Sequence, residues 1–101
     1  MTVREHHISK YTELMEPDTQ LVDVRERAEL RGGTLPGAVN IPLGDLPHRL
    51  GELDPTRRVL LVCRSGNRSG HAARFLAQHG FRDVVNLAGG MAAVGGLRTV
   101  A

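Results

Sequence analysis

Four short runs of aliphatic and β-branched residues recur along this chain, set off by Gly- or Pro-marked turns. They are Leu21-Val22-Asp23-Val24, Ala38-Val39-Asn40-Ile41, Val59-Leu60-Leu61-Val62 and Val84-Val85-Asn86-Leu87. Runs this short and this continuously apolar read as strands buried on both faces, as in a parallel sheet. Helix-like segments lie between them. Ser9 is placed to cap one that carries Tyr11, Leu14 and Met15. Asp45 is placed to cap another with Leu46, Leu50 and Leu53 near one face, and Pro47 is tolerable in its first turn. The clearest helix runs from about Arg68 to His79. It buries Ala72, Ala73, Leu76 and Ala77, and it stops at Gly80, where a left-handed cap falls. Strands alternating with helices predict an α/β fold. The expected form is a three-layer α/β/α sandwich around a central, mostly parallel sheet of four or five strands, the segment before Ser9 adding the fifth. In such sheets chemistry sits at the carboxyl ends of the strands.

The 101 residues fit a single domain, 1–101, and no repeat, low-complexity tract or linker divides them. Only Tyr11, Phe75 and Phe81 are aromatic, so the core is aliphatic and stacking platforms for single-stranded nucleic acid are nearly absent. Thirteen basic residues, twelve of them Arg, stand against eleven acidic ones with the signs mixed along the chain. The resulting charge of +2 suits a small anion better than a nucleic acid. A lone cysteine, Cys63, excludes an intramolecular disulfide and any CxxC metal or redox pair. The N-terminal residues form no secretory signal, and no run of about 18 apolar residues predicts a transmembrane helix. The expectation is a soluble, cytoplasmic monomer with no membrane partner, no cofactor and no metal.

Val59–Val62 leads straight into Cys63-Arg64-Ser65-Gly66-Asn67-Arg68-Ser69, where the strong helix begins. The backbone N–H groups of such a strand-to-helix loop have no strand or helix partners and can converge on an anion. Gly66 permits the positive φ that a concave turn needs. Arg64 and Arg68 add positive charge and are expected to attract an anionic substrate, while Ser65, Gly66, Asn67, Arg68 and Ser69 supply the amide cradle. A free thiol has a pKa of about 8.5, and a Cys at a helix N-terminus beside Arg falls to roughly 3.5–7.5. The field of the loop can therefore make Cys63 a nucleophile without a separate general base. The plain alternative, a buried inert Cys, does not account for the flanking Arg-Ser-Gly-Asn-Arg, which an apolar core does not call for.

These segments together resemble the single-domain rhodaneses, or thiosulfate sulfurtransferases. Leu21 to Glu26 is similar to the family's second-strand signature. Leu35-Pro36-Gly37-Ala38-Val39-Asn40-Ile41-Pro42 is similar to its I-P-G-A-x-N-x-P segment. Cys63 to Arg68 is similar to the active-site loop, and Leu87-Ala88-Gly89-Gly90-Met91 to the late L-x-G-G motif. Two departures stand out: Thr34 where many relatives have His, and Val94 where many have Trp. Both read as packing positions. The resemblance implies a rhodanese-like fold and covalent catalysis in two half-reactions. Cys63 attacks the outer sulfur of a donor such as thiosulfate and sulfite leaves. The resulting persulfide is then taken by cyanide or a thiol, so ping-pong kinetics follow. A protein persulfide partner fits the same loop. The rivals are a persulfide carrier or sensor without turnover, a regulatory binding module, and a phosphatase of the same fold. Inactive relatives usually lack the Cys that is present here. Phosphatases of this fold place one residue more between Cys and Arg than the four found here, and so make a roomier cradle.

Other residues have two readings. Asp23 bonds the loop amides and Arg25 pairs with nearby carboxylates to hold the site, or the two form a structural ion pair. Gly89-Gly90 lets backbone approach the sulfur closely, or is a plain turn. Pro36-Gly37 reads as a turn before a strand. His6 and His7 are adjacent, so neither helix nor strand aims both at one metal. His71 falls in the first turn of the active helix at an exposed position, His48 and His79 carry no signal, and Arg57-Arg58 reads as a solvated turn.

Overall fold

A computed structural model describes residues 3–94. Five parallel strands form one sheet: β1 (Val3–His7), β2 (Gln20–Asp23), β3 (Val39–Asn40), β4 (Val59–Val62) and β5 (Val84–Ala88). Their order is β1-β5-β4-β2-β3, so β4 lies at the centre. The segment before Ser9 is indeed the fifth strand. Every residue of β4 is buried, as its unbroken apolar run requires. The short β3 is an edge strand, and Val39 is the one large hydrophobic side chain exposed among the described residues.

Apolar side chains cover both faces, which gives the α/β sandwich. On one face Val22, Val59, Leu61 and Val84 pack with Ala72, Ala73 and Leu76 of helix α1 (Asn67–Gln78), and with Leu46 and Phe81. On the other face Leu21, Leu60, Val62, Val85 and Leu87 pack with Ile8, Leu35, Met91 and Val94, flanked by Tyr11, Leu14 and Met15. Gly80 adopts φ +89° just past α1. The predicted buried face of the helix is therefore found, and Ser69 and Gly70 extend it.

The remaining helical segments depart from expectation. The stretch Ile8–Leu14 is 3-10 rather than α, with a break at Lys10. Ser9 does not cap it. The ring of His7 does, accepting from the Ser9 N–H at 3.2 Å. Asp45 is likewise no cap, because the 3-10 helix Leu43–His48 starts earlier, from Pro42. That start puts Pro47 beyond the first turn, where its missing N–H prevents a continuous α-helix. Another 3-10 turn, Leu50–Glu52, follows after Arg49. A further 3-10 segment, Arg27–Gly32, falls where the sequence pattern predicts no helix. The Glu26 N–H donates to Glu29 Oε1 at 2.8 Å and so orders its first turn.

Candidate active site

Cys63 follows the last residue of the central strand. Neighbouring strands β2 and β5 flank it, and the chain turns from it directly into α1. Open parallel sheets expose their ligand crevice at this kind of position. Gly66 makes the turn possible with φ +96°, a conformation that Gly adopts without steric cost.

Two amides converge on the sulfur. The Gly66 N–H donates to Cys63 Sγ at 3.1 Å and the Ser69 N–H at 3.3 Å. The Ser69 hydroxyl oxygen also lies 3.3 Å from Sγ. Burial pushes the Cys63 thiol up. The contacts from Ser69, Ser65 and Gly66 pull it down, and the balance falls below an ordinary thiol. No hydrogen bond joins the Asn67 or Arg68 amide to the sulfur among the described residues. As first-turn groups of α1 these two N–H groups have no partner within the helix, so they are free for a second atom placed beyond Sγ. Of the expected five-amide cradle, the Gly66 and Ser69 amides are hydrogen-bonded to Sγ and those of Asn67 and Arg68 are not.

The two loop arginines have different surroundings. Arg68 does not face the mouth of the site as a free cation. Its guanidinium donates to both carboxylate oxygens of Glu29, at 2.7 and 2.8 Å. The geometry is bidentate, which is the strong form of such pairs. Arg64 is exposed and makes no side-chain hydrogen bond or ion pair among the described residues. It lines an open cavity of about 320 Å³ with Arg25, Glu29, Gly33 and Met91. Of the two, Arg64 is the one left without a side-chain partner among the described residues.

Asp23 and Arg25 form a buried ion pair. Arg25 Nη2 donates to Asp23 Oδ2 at 2.8 Å and Nε donates to Oδ1 at 3.0 Å. Asp23 reaches none of the loop amides after Cys63, so that expectation does not hold. Arg25 also donates to the carbonyls of Glu29 and Gly33 at 3.2 and 2.9 Å. The pair therefore anchors the segment that presents Glu29 to Arg68. Thr34 is no packing residue either: its hydroxyl donates to Asp23 Oδ2 at 2.8 Å. Val94 does pack, in the core of the second face.

Gly90 allows a close backbone approach, but toward the loop carbonyls and not toward the sulfur. A Cβ there would lie 2.6 Å from the Cys63 carbonyl oxygen and against the Arg64 carbonyl. The turn locks onto the loop by Met91 N–H to Cys63 O and Ala92 N–H to Arg64 O, both at 2.8 Å. Gly89 sits under the His7 ring and the Ala93 methyl. His71 is exposed and contacts Arg74 Nη2 through Nδ1.

Two residues of the site escape sequence reasoning: Glu29, and Asn86 in β5. Asn86 is buried behind Ser69, whose hydroxyl lies 2.5 Å from Asn86 Oδ1. A polar residue inside an apolar strand run was the available signal.

The Glu29–Arg68 pair has a defined acid limit. Hydrogen bonding from Arg68 holds the Glu29 carboxyl at about 2, down from 4.5. A depressed carboxylate pKa means that the stabilisation is complete above the unfolded-state value and is lost as pH falls toward 2. Because the pair is partly exposed, its worth is under about 1 kcal/mol. Glu29→Gln is therefore expected to lower the urea midpoint slightly at pH 7. Near pH 2 it should match the parent, and a gap that persists there would contradict the assignment.

Cys63 is thus a buried cysteine met by two amides at the carboxyl end of a central parallel strand. The family model described as Rhodanese-like domain matches residues 9–96, and the chain belongs to that family. It is 42% identical over 76 residues to the Sulfurtransferase of Allochromatium vinosum, covering 75% of this chain and 71% of that one. It is 38% identical over 74 residues to the thiosulfate sulfurtransferase GlpE of Shewanella oneidensis, covering 73% of each. The crystal structure of a rhodanese-like domain protein from Staphylococcus aureus superposes with a TM-score of 0.82 at 30% identity, over the full length of both chains. These relatives support a sulfurtransferase-type role. No helix among the described residues is long and apolar enough to cross a membrane.

Proposed function

We propose that this protein transfers sulfane sulfur through a Cys63 persulfide. The observation that carries the reading is the pair of amides, Gly66 and Ser69, aimed at a sulfur that sits at the foot of α1. In the first half-reaction the Cys63 thiolate attacks the outer sulfur of thiosulfate. An S–S bond forms to Cys63, the S–S bond of thiosulfate breaks, and its electron pair leaves on sulfite. The negative charge then resides on the outer sulfur of the persulfide, where the amides of Asn67 and Arg68 and the positive end of the helix can stabilise it. In the second half-reaction cyanide or a thiolate attacks that outer sulfur, and the electron pair returns to Cys63. Arg64 attracts the anionic donor, and Gly89, Gly90, Asp23 and Arg25 hold the loop and its surroundings in place. A reducing compartment such as the cytoplasm suits a lone thiol of this kind.

Steady-state kinetics with thiosulfate as donor and cyanide or a small thiol as acceptor test the reading. Parallel lines in double-reciprocal plots are expected for the ping-pong scheme. Loading by thiosulfate without release to any small acceptor would replace turnover with a carrier that hands sulfur to a protein partner. Absence of loading from thiosulfate, polysulfide and persulfide donors alike would overturn the proposal.

A further inference from the structure

Behind the sulfur lies a chain of polar contacts that the transfer scheme does not use. Ser69 Oγ is 3.3 Å from Cys63 Sγ and 2.5 Å from Asn86 Oδ1. Asn86 Nδ2 donates to Glu5 Oε2 at 2.9 Å and to the Gly66 carbonyl at 3.1 Å. Glu5 and Asn86 are register partners on adjacent strands, so their side chains share a face of the sheet. Ser69 is fully buried and Asn86 nearly so.

This network has only one arrangement of hydrogens. Glu5 and the Gly66 carbonyl are both acceptors, so the amide nitrogen of Asn86 must face them. The amide oxygen then faces Ser69, and it cannot donate. Two oxygens 2.5 Å apart need a hydrogen between them, and only the Ser69 hydroxyl can supply it. A hydroxyl has one hydrogen. Its remaining side, which faces Cys63, offers lone pairs.

We propose that Asn86 is a positioning residue: it claims the single hydroxyl hydrogen of Ser69 and so turns an oxygen lone pair, not a hydrogen, toward Cys63 Sγ. The hydroxyl accepts from the thiol S–H but gives nothing to the bare thiolate, whose stabilisation is left to the amides. Once Cys63 holds a second sulfur, Sγ is a neutral disulfide-type atom that tolerates the lone pair, and the charge has moved outward. Asn86 thus favours the loaded enzyme over the free thiolate. This last consequence rests on the persulfide reading above; the direction of the hydroxyl does not.

The charged and titratable groups around the sulfur are Arg64 in the loop, Arg68 with Glu29, Glu5 behind Asn86, and His7 beside Gly89. Ser69→Ala alters none of them and leaves every contact of Asn86 to Glu5 and Gly66 in place. The test is the pH dependence of Cys63 alkylation by iodoacetamide. In Ser69→Ala the midpoint is expected to stay within about half a pH unit of the parent or to fall below it. A rise of more than about half a unit would show that the hydroxyl donates to the thiolate and would overturn the proposal. Asn86→Leu releases the hydroxyl hydrogen toward sulfur, so its midpoint is expected to fall by roughly half a unit or more. Mere loosening of the loop would weaken the amides and raise it instead. A folded Asn86→Leu protein with an unchanged or raised midpoint also overturns the assignment. Ser69→Ala decides alone if Asn86→Leu does not fold. Alkylation needs no sulfur donor, so a failure here is separate from a failure to load sulfur.

Discussion

Cys63→Ser protein incubated with thiosulfate is expected to gain no mass, whereas the parent is expected to gain one sulfur atom per chain. The chain has a single cysteine, and its three methionines are thioethers with no ionisable hydrogen. A serine hydroxyl at the same place would meet the same amides, but an alcohol stays far from ionised at neutral pH. Replacing a covalent nucleophile of this kind costs at least roughly 10³-fold in rate. Intact-mass measurement reads the result directly. A sulfur adduct on Cys63→Ser would move the nucleophile elsewhere, while loss of the adduct in a folded variant ties loading to this residue. The same assay over pH carries a sign. Because the thiol lies below its ordinary value, loading is expected to decline on acidification through that lowered value.

Gly90→Ala is expected to damage the protein more than a methyl added at any other glycine among the described residues. Gly90 has φ +60° and ψ −169°, a region essentially restricted to glycine. The new Cβ would also lie 2.6 Å from the Cys63 carbonyl oxygen. That atom is backbone, and it is held by the Met91 N–H at 2.8 Å, so no side chain can swing aside to relieve the overlap. Either the 89–92 turn or the loop after Cys63 must move. Backbone strain and overlap together cost about 3 kcal/mol or more, a large part of the stability of a small domain. Urea denaturation should show the loss, and sulfur loading should slow in whatever folded protein remains, since the displaced loop carries the amides. Gly51→Ala is the control. A Cβ at Gly51 meets nothing within 4 Å, so that change should stay within about 0.5 kcal/mol. A Gly90→Ala midpoint equal to that of Gly51→Ala would remove the turn from the account.

Sequence patterns located the candidate cysteine and its loop because their surroundings are local. Strand β4, the polar loop, the glycine turn and the start of α1 lie within 20 consecutive residues, from Val59 to Gln78. Within such a span, side-chain type and spacing decide the conformation. The apolar run makes a buried strand, Gly66 allows the turn, and alanines with leucine make the covered helix face. The same reasoning misjudged Ser9 and Asp45. Good cap residues were present in both cases, but the ring of His7 took the role of Ser9, and Pro47 fixed where the helix near Asp45 could run.

Glu29 and Asn86 were illegible for a different reason. Glu29 meets Arg68 across 39 residues, and Asn86 meets Ser69 across 17 and Glu5 across 81. No spacing rule connects such positions. Arg68 was expected to serve an incoming anion because its sequence neighbours form the loop, yet a carboxylate from another segment already occupies its guanidinium. Asp23 and Arg25 were assigned to a strand end near the loop, and the chain fold directed their hydrogen bonds away from the loop amides, into the segment after β2.

From sequence alone, then, came the alternation of buried strands with helices, the position of the one thiol at a strand-to-helix turn, and the chemistry that such a turn favours. All of these follow from interactions between residues a few positions apart. Tertiary structure alone decided which arginine stays free, which backbone the Gly90 turn braces, and which way the Ser69 hydroxyl hydrogen points. Each of those depends on a partner brought close by the order β1-β5-β4-β2-β3, and that order arises from how two apolar faces of one sheet are covered at once.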